Sequence, residues 1–182
     1  MTTTYAALLR GVNVGGNKKV PMAELRALLA DLGHGAVRTY LNSGNAVFTS
    51  GSDDQDALAA ALADAIAKRF GFTVSCVVRN SGYLRAVAEA CPFPADQLEG
   101  RQLHATFYSG PVAPEHFAAI DTAAHLPEEF RLGDRVLYLY APEGLAKSKL
   151  VEAMSKVALP KGLVATARNW NTVKALVELT SK

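Results

Sequence analysis

The chain begins with an unbroken apolar run, Ala6-Ala7-Leu8-Leu9, which predicts a strand buried on both faces and leads into a glycine-rich stretch, Gly11 to Gly16. The apolar spacing then becomes helical. Pro21 suits a first turn, Met22, Leu25, Leu28, Leu29 and Leu32 recur at helical intervals, and Gly33 is the stop. Val37, Thr39 and Leu41 alternate with Arg38 and Tyr40 as in a half-buried strand, and Asn42-Ser43-Gly44-Asn45 turns the chain into a second strand, Ala46-Val47-Phe48. Ser52 and Gln55 form a capping-box pattern for a helix that carries Leu58, Leu62, Ile66 and Phe70 on one stripe. A strand over Thr73 to Val78 follows, then a helix opened by Ser81 and closed by Pro92.

The same order returns in the second half. It runs through a strand over Leu103 to Tyr108, a helix after Pro114, a hairpin of Phe130 to Leu132 and Val136 to Tyr140 about Gly133-Asp134, and a helix around Leu150 and Met154. After a break at Pro160-Lys161-Gly162 come a strand over Leu163 to Ala167 and a last helix from Asn171. Arg79-Asn80 and Arg168-Asn169 both follow a fourth strand and stand 89 residues apart, as do the hairpin glycines Gly44 and Gly133. In that register Leu84, Arg85, Ala86 and Glu89 align with Val173, Lys174, Ala175 and Glu178, which argues for an internal duplication.

The order β-α-β-β-α-β predicts an α+β fold. Each copy is a ferredoxin-like unit with an antiparallel sheet ordered 4-1-3-2, followed by an extra helix. The copies are expected at residues 1–94 and 101–182, with Pro92, Pro94 and the polar stretch from Asp96 to Arg101 as linker. A single continuous sheet built from the same elements is the alternative.

Composition narrows the class of protein. With 49% hydrophobic and 20% charged residues, the chain of 182 residues has the make-up of a packed globular protein. Its formal net charge of +2 is too small to imply a polyanion partner by itself. MTTTYAALLR is not a secretory leader, and the longest apolar run, Ala57 to Ala67, is broken by Asp64 and too short for a bilayer, so no membrane is expected. Cys76 and Cys91 lie outside any metal-ligand spacing and read as small core residues in a reducing, cytoplasmic setting.

Three segments carry the candidate chemistry. In the split topology the first loop, with Arg10, Asn13, Gly15, Gly16, Lys18 and Lys19, and the hairpin, with Asn42, Ser43 and Asn45, emerge at one edge of the sheet. Glycines allow backbone N–H groups to converge, lysine and arginine add charge, and asparagine and serine add neutral hydrogen bonds. A phosphate or carboxylate suits such a place. The plainer alternative is a wide turn, an ordinary hairpin and solvated lysines. The third segment is Arg168-Asn169-Trp170-Asn171-Thr172. It either joins the ligand site or serves the fold, with an asparagine capping the last helix and Trp170 filling a seam. Lys147-Ser148-Lys149 reads as a solvated turn before a helix. His34, His104, His116 and His125 have no acidic or cysteine neighbour at a ligand spacing, and no nucleophile elbow, HExxH or paired-carboxylate pattern occurs. No metal, cofactor or catalytic group is therefore assigned.

The stretches Leu8 to Met22, Thr39 to Asn45 and Thr166 to Val173 closely resemble a bacterial family catalogued as domain of unknown function 1697. The resemblance implies a pair of ferredoxin-like subdomains and no established activity. It extends to Arg10, Gly11, Asn13, Gly15, Gly16, Tyr40, Ser43, Gly44, Asn45 and Arg168 to Thr172. The family order before the Lys-Val-Pro-Met motif is lysine then asparagine, whereas here Asn17 precedes Lys18.

Three functional readings follow: a binder of a small anionic ligand, a nucleic-acid module that uses Tyr138 and Tyr140 on an open sheet face, and an interaction protein without a ligand. Partners and oligomeric state are left unassigned.

Overall fold

A computed structural model describes all residues, Met1–Lys182. The chain contains two four-stranded antiparallel sheets and five α-helices, and it divides into two compact units. Unit 1 is Met1–Arg85 with Leu176–Lys182, and unit 2 is Ala86–Ala175.

In unit 1 the strands β1 (Thr3–Leu9), β2 (Gly35–Tyr40), β3 (Asn45–Ser50) and β4 (Cys76–Asn80) lie in the order β2-β3-β1-β4. The apolar run of the first strand is central, pairing antiparallel with both β3 and β4. One face carries Tyr5, Ala7, Leu9, Ala46, Phe48 and Val78 into a core with helices α1 (Met22–Asp31) and α2 (Gln55–Phe70), which supply Leu25, Leu29, Leu62 and Ile66. The large apolar side chains among them, such as Leu9, Phe48, Leu25 and Ile66, each contribute about 1.5–3 kcal/mol when fully buried. Ala6, Leu8, Val47 and Val77, on the opposite face, are equally buried. The end of the chain covers part of that face, where Arg38 Nη2 donates to the Leu179 carbonyl at 2.7 Å.

Local signals are met with shifts. The cap of α2 is Asp54, whose carboxylate accepts from Ala57 N at 3.0 Å, rather than Ser52. Ser52 Oγ accepts from Asp54 N, and Gln55 Oε1 reaches across to Asn80 N at 2.7 Å, so the predicted capping box does not form. The fourth strand begins at Cys76 rather than Thr73.

Unit 2 contains β5 (Leu103–Tyr108), β6 (Glu129–Gly133), β7 (Val136–Tyr140) and β8 (Ala165–Asn169) in the order β6-β7-β5-β8. Tyr108, Phe117, Leu137, Leu139 and Leu150 form its core beneath α4 (Lys149–Ser155). Leu103, Ala105, Phe107, Val136 and Tyr138 bury the other face. The expected helix after Pro114 is replaced by two 3-10 turns, Pro114–Phe117 and Thr122–His125. Asp121, with extended backbone, separates them, and Pro127 follows the second.

The helices after each fourth strand, α3 (Ser81–Glu89) and α5 (Trp170–Thr180), share one start signal. Asn80 Oδ1 accepts from Tyr83 N at 2.7 Å, and Asn169 Oδ1 accepts from Thr172 N at 3.0 Å, the same cap 89 residues on. The compact units divide inside these helices, after Arg85 and after Ala175, not in the polar stretch that separates residues 1–94 from 101–182. Both helices bury apolar side chains, Leu84 and Val87 in one, Trp170, Val173 and Leu176 in the other.

His104, on β5, has its Nδ1 buried without a hydrogen-bond partner, and burial lowers its pKa below 6.5. The folded state therefore binds this proton less readily than the unfolded chain. The group costs nothing above pH 6.5 and weakens folding as the pH falls from there through its lowered folded value. Urea unfolding of wild type and His104→Gln at pH ~7.5 and ~5.5 should show a smaller acid-induced loss in the variant; equal losses contradict this.

Candidate functional site

The loop that leaves β1 contains several left-handed residues. Gly11, Asn13, Gly15, Gly16 and Lys18 all have positive φ, between 48° and 76°. Glycine adopts this region freely, and asparagine tolerates it through local hydrogen bonds. Asn13 shows how. Its Nδ2 donates to Val20 O at 2.8 Å and its Oδ1 accepts from Val20 N at 2.9 Å, closing the loop on itself. The same Nδ2 also donates to Asn42 O in the β2–β3 hairpin at 2.6 Å.

The hairpin is held from its own side as well. Leu9 N donates to Gly44 O at 2.8 Å, and the fully buried Asn45 donates through Nδ2 to Tyr40 O at 2.9 Å and to Ser43 Oγ at 3.1 Å. Gly44 has φ 92°, and a Cβ there would lie 2.6 Å from Val12 Cγ2 and 2.8 Å from Leu9 Cβ. The loop and hairpin thus share one rim of unit 1, as the split topology predicts, with Val12 packed under the glycine.

The rim residues divide into two groups. Asn13 spends its amide on backbone groups and Asn45 on Tyr40 O and Ser43 Oγ, and both build the scaffold. Lys18 Nζ donates to Thr73 O at 2.7 Å, anchoring the loop to the segment before β4. Arg10 and Lys19 are exposed and enter no ion pair, and the N–H groups of Gly15 and Gly16 donate to no group of the protein. Asn42 and Ser43 are also exposed. Val14 and Leu41, among the few large apolar residues left exposed, add an apolar margin.

Arg168, Asn169, Trp170 and Asn171 belong to unit 2, where most of them serve the fold. Arg168 is buried, with Nη1 donating to Thr166 Oγ1 at 2.8 Å and Ala167 O at 2.9 Å. Burial brings its pKa down to about 10, so it still carries its charge near neutrality. Its counterpart Arg79 repeats the bond to the preceding carbonyl, Nη1 to Val78 O at 2.8 Å, and lies 5.4 Å from the Tyr83 ring centroid. Asn169 is the α5 cap, Trp170 is buried with its ring 6.3 Å from that of Tyr138, and Asn171 lies where a Cβ on Gly100 would stand.

Tyr138 is buried and donates to Val87 O at 2.6 Å, so it offers no ring face for stacking, while Tyr140 is half-buried with its ring 6.0 Å from Phe93.

No group of three or more His, Cys, Asp or Glu side chains could hold a metal ion. The Cys76 thiol is buried and pushed up to about 12, far from a reactive thiolate. No helix is long and apolar enough to cross a membrane.

The sequence pattern gave no warning of a cleft of about 460 Å³ in unit 2, bordered by His125, Glu128, Glu143, Lys147 and Lys149. Its only trace in the sequence is the pair of lysines flanking Ser148. Ser148 caps α4 by accepting from Val151 N at 3.0 Å.

Two four-stranded antiparallel sheets, with a clamped polar rim on the first, define a mixed α/β protein with no metal-binding cluster. The chain belongs to the DUF1697 family, described as proteins of unknown function, whose family model matches residues 1–138. Over 99% of both chains it is similar, at 29% identity and a TM-score of 0.76, to the conserved bacterial protein SP0830 from Streptococcus pneumoniae. No curated protein matches it.

A test of the rim's geometry follows from Gly44. Alanine there adds a Cβ to a left-handed residue already against Leu9 and Val12, so Gly44→Ala should lower stability by about 1–3 kcal/mol in urea denaturation. A change near zero would contradict the packing of hairpin on loop.

Proposed function

We propose that the protein binds a small anionic ligand, bearing a phosphate or a carboxylate, at the rim formed by the β1 exit loop and the first hairpin. The observation that carries this reading is the division of labour at the rim. Asn13, Asn45 and Lys18 are consumed in holding the two segments together, while Arg10, Lys19 and the Gly15 and Gly16 amides keep their donors free. Unpaired amides on two successive left-handed glycines, in the same loop as two unpaired cations, supply donors suited to an anion. Asn42 and Ser43 would supply neutral hydrogen bonds, and Val14 and Leu41 would contact an apolar portion of the ligand.

This reading places one site in unit 1 and gives Arg168, Asn169 and Trp170 structural work in unit 2. We further read the two units as copies of one ferredoxin-like βαββαβ design, with residues 1–94 and 101–182 as the copies along the chain. The shared strand order, the shared asparagine caps and the 89-residue register support this. Two free cysteines suit a cytoplasmic bacterial protein.

The test is thermal-shift titration with inorganic phosphate, nucleotides and phosphosugars, on wild type, Arg10→Ala and Lys19→Ala. A ligand that binds the folded protein raises its melting temperature with concentration. Each substitution removes a charge-assisted contact and should weaken binding roughly tenfold, the effect shrinking at high salt. Identical stabilisation of all three proteins would count against the site.

A further inference from the structure

We propose that unit 2 carries a separate site for a small zwitterion, an amino acid or short peptide with an apolar side chain, in the cleft beside α4. Its volume, about 460 Å³, falls within the range of small-molecule pockets, roughly 300–1,000 Å³. The cleft is bordered by two carboxylates, Glu128 and Glu143, and two ammonium groups, Lys147 and Lys149.

These four groups form no ion pair with each other or with any other residue. Elsewhere on the same surface charges do pair, as in Lys68–Asp64 at 2.9 Å and Arg131–Glu129 at 2.8 Å. Opposite charges that line one cavity and yet stay apart leave both signs available to an occupant.

Ser148 fixes the placement of Glu128. Its buried hydroxyl donates to Glu128 Oε2 and accepts from Val151 N at 3.0 Å, so it ties the Glu128 carboxylate to the first turn of α4. Lys147 and Lys149 flank this serine in the chain, which brings both signs to one turn.

Charge balance selects the ligand class. Two acidic and two basic groups cancel, so a simple anion meets the carboxylates and a simple cation meets the lysines, each at a repulsive cost. A molecule with its own ammonium and carboxylate satisfies both sets through charge-assisted hydrogen bonds. Leu126, 60% exposed, borders the cleft with Pro127 and Pro142 and favours an apolar side chain on that molecule.

The experiment is calorimetric titration of the full chain with L-leucine, L-leucinamide and N-acetyl-L-leucine, up to about 10 mM so that binding in the millimolar range is seen. Leucine should bind, and each blocked derivative should bind at least about tenfold more weakly. Glu143→Gln should weaken leucine and leucinamide but spare N-acetyl-leucine, whereas Lys147→Gln should weaken leucine and N-acetyl-leucine but spare leucinamide. Both positions are exposed, so the variants keep the fold, and circular dichroism checks this. Arg10→Ala should bind leucine as wild type does, which keeps this outcome distinct from that of the anion site. Absence of leucine binding in this range, or equal binding of leucine and its blocked forms, overturns the proposal.

Discussion

The central strands of each sheet are largely buried on both faces, and this constraint decides where chemistry can occur. A strand such as β1, with Tyr5 through Leu9 at 1% exposure or less, has no side chain to offer a ligand. Polar function is expelled to the ends of strands and to the loops that join them. Even the buried arginines obey this rule, since Arg79 and Arg168 each spend a guanidinium nitrogen on the carbonyl before them.

At the rim of unit 1 the same logic yields a scaffold built by asparagine amides and one lysine, Lys18, and a margin of other charged groups. A single carboxamide, that of Asn13, reaches the far end of its own loop at Val20 and the neighbouring hairpin at Asn42. Asparagine suits this task because it tolerates positive φ and offers a donor and an acceptor without burying a charge. With the backbone held in this way, Arg10 and Lys19 need no structural partner and remain open to a ligand.

Much of the fold could be read from periodicity. The apolar run in β1, the stripe in α2 and the hairpin signal at Asn42-Ser43-Gly44-Asn45 each specify an element by local rules, and the Arg-Asn pairs at 79–80 and 168–169 stand directly before helices α3 and α5. The failures came where tertiary contacts outweigh local ones. Gln55 belongs to a capping-box pattern in sequence but is drawn to Asn80 N, and the segment after Pro114 has helical composition but is broken into two 3-10 turns at the extended Asp121. At the rim, residue type marked the two segments that meet there but not the roles of their residues. Nothing in the order of the sequence distinguishes Lys18, tied to Thr73 O, from Lys19, which is free, because the difference lies in the loop's left-handed turns. The unit 2 cleft was missed because its charged groups come from two segments about twenty residues apart, brought together by folding.

The account rests on the Asn13 clamp, and amide hydrogen exchange at Val20 tests it most directly, because that N–H donates to Asn13 Oδ1 at 2.9 Å. In the wild type Val20 should be protected by the closed loop. In Asn13→Ala its exchange should accelerate by roughly tenfold or more, matching the loss of about 1–3 kcal/mol when a hydrogen-bond partner is removed, while the amides of β1 and β3 keep their protection. Val20 exchange unchanged by the substitution would contradict the clamp and, with it, the shared rim.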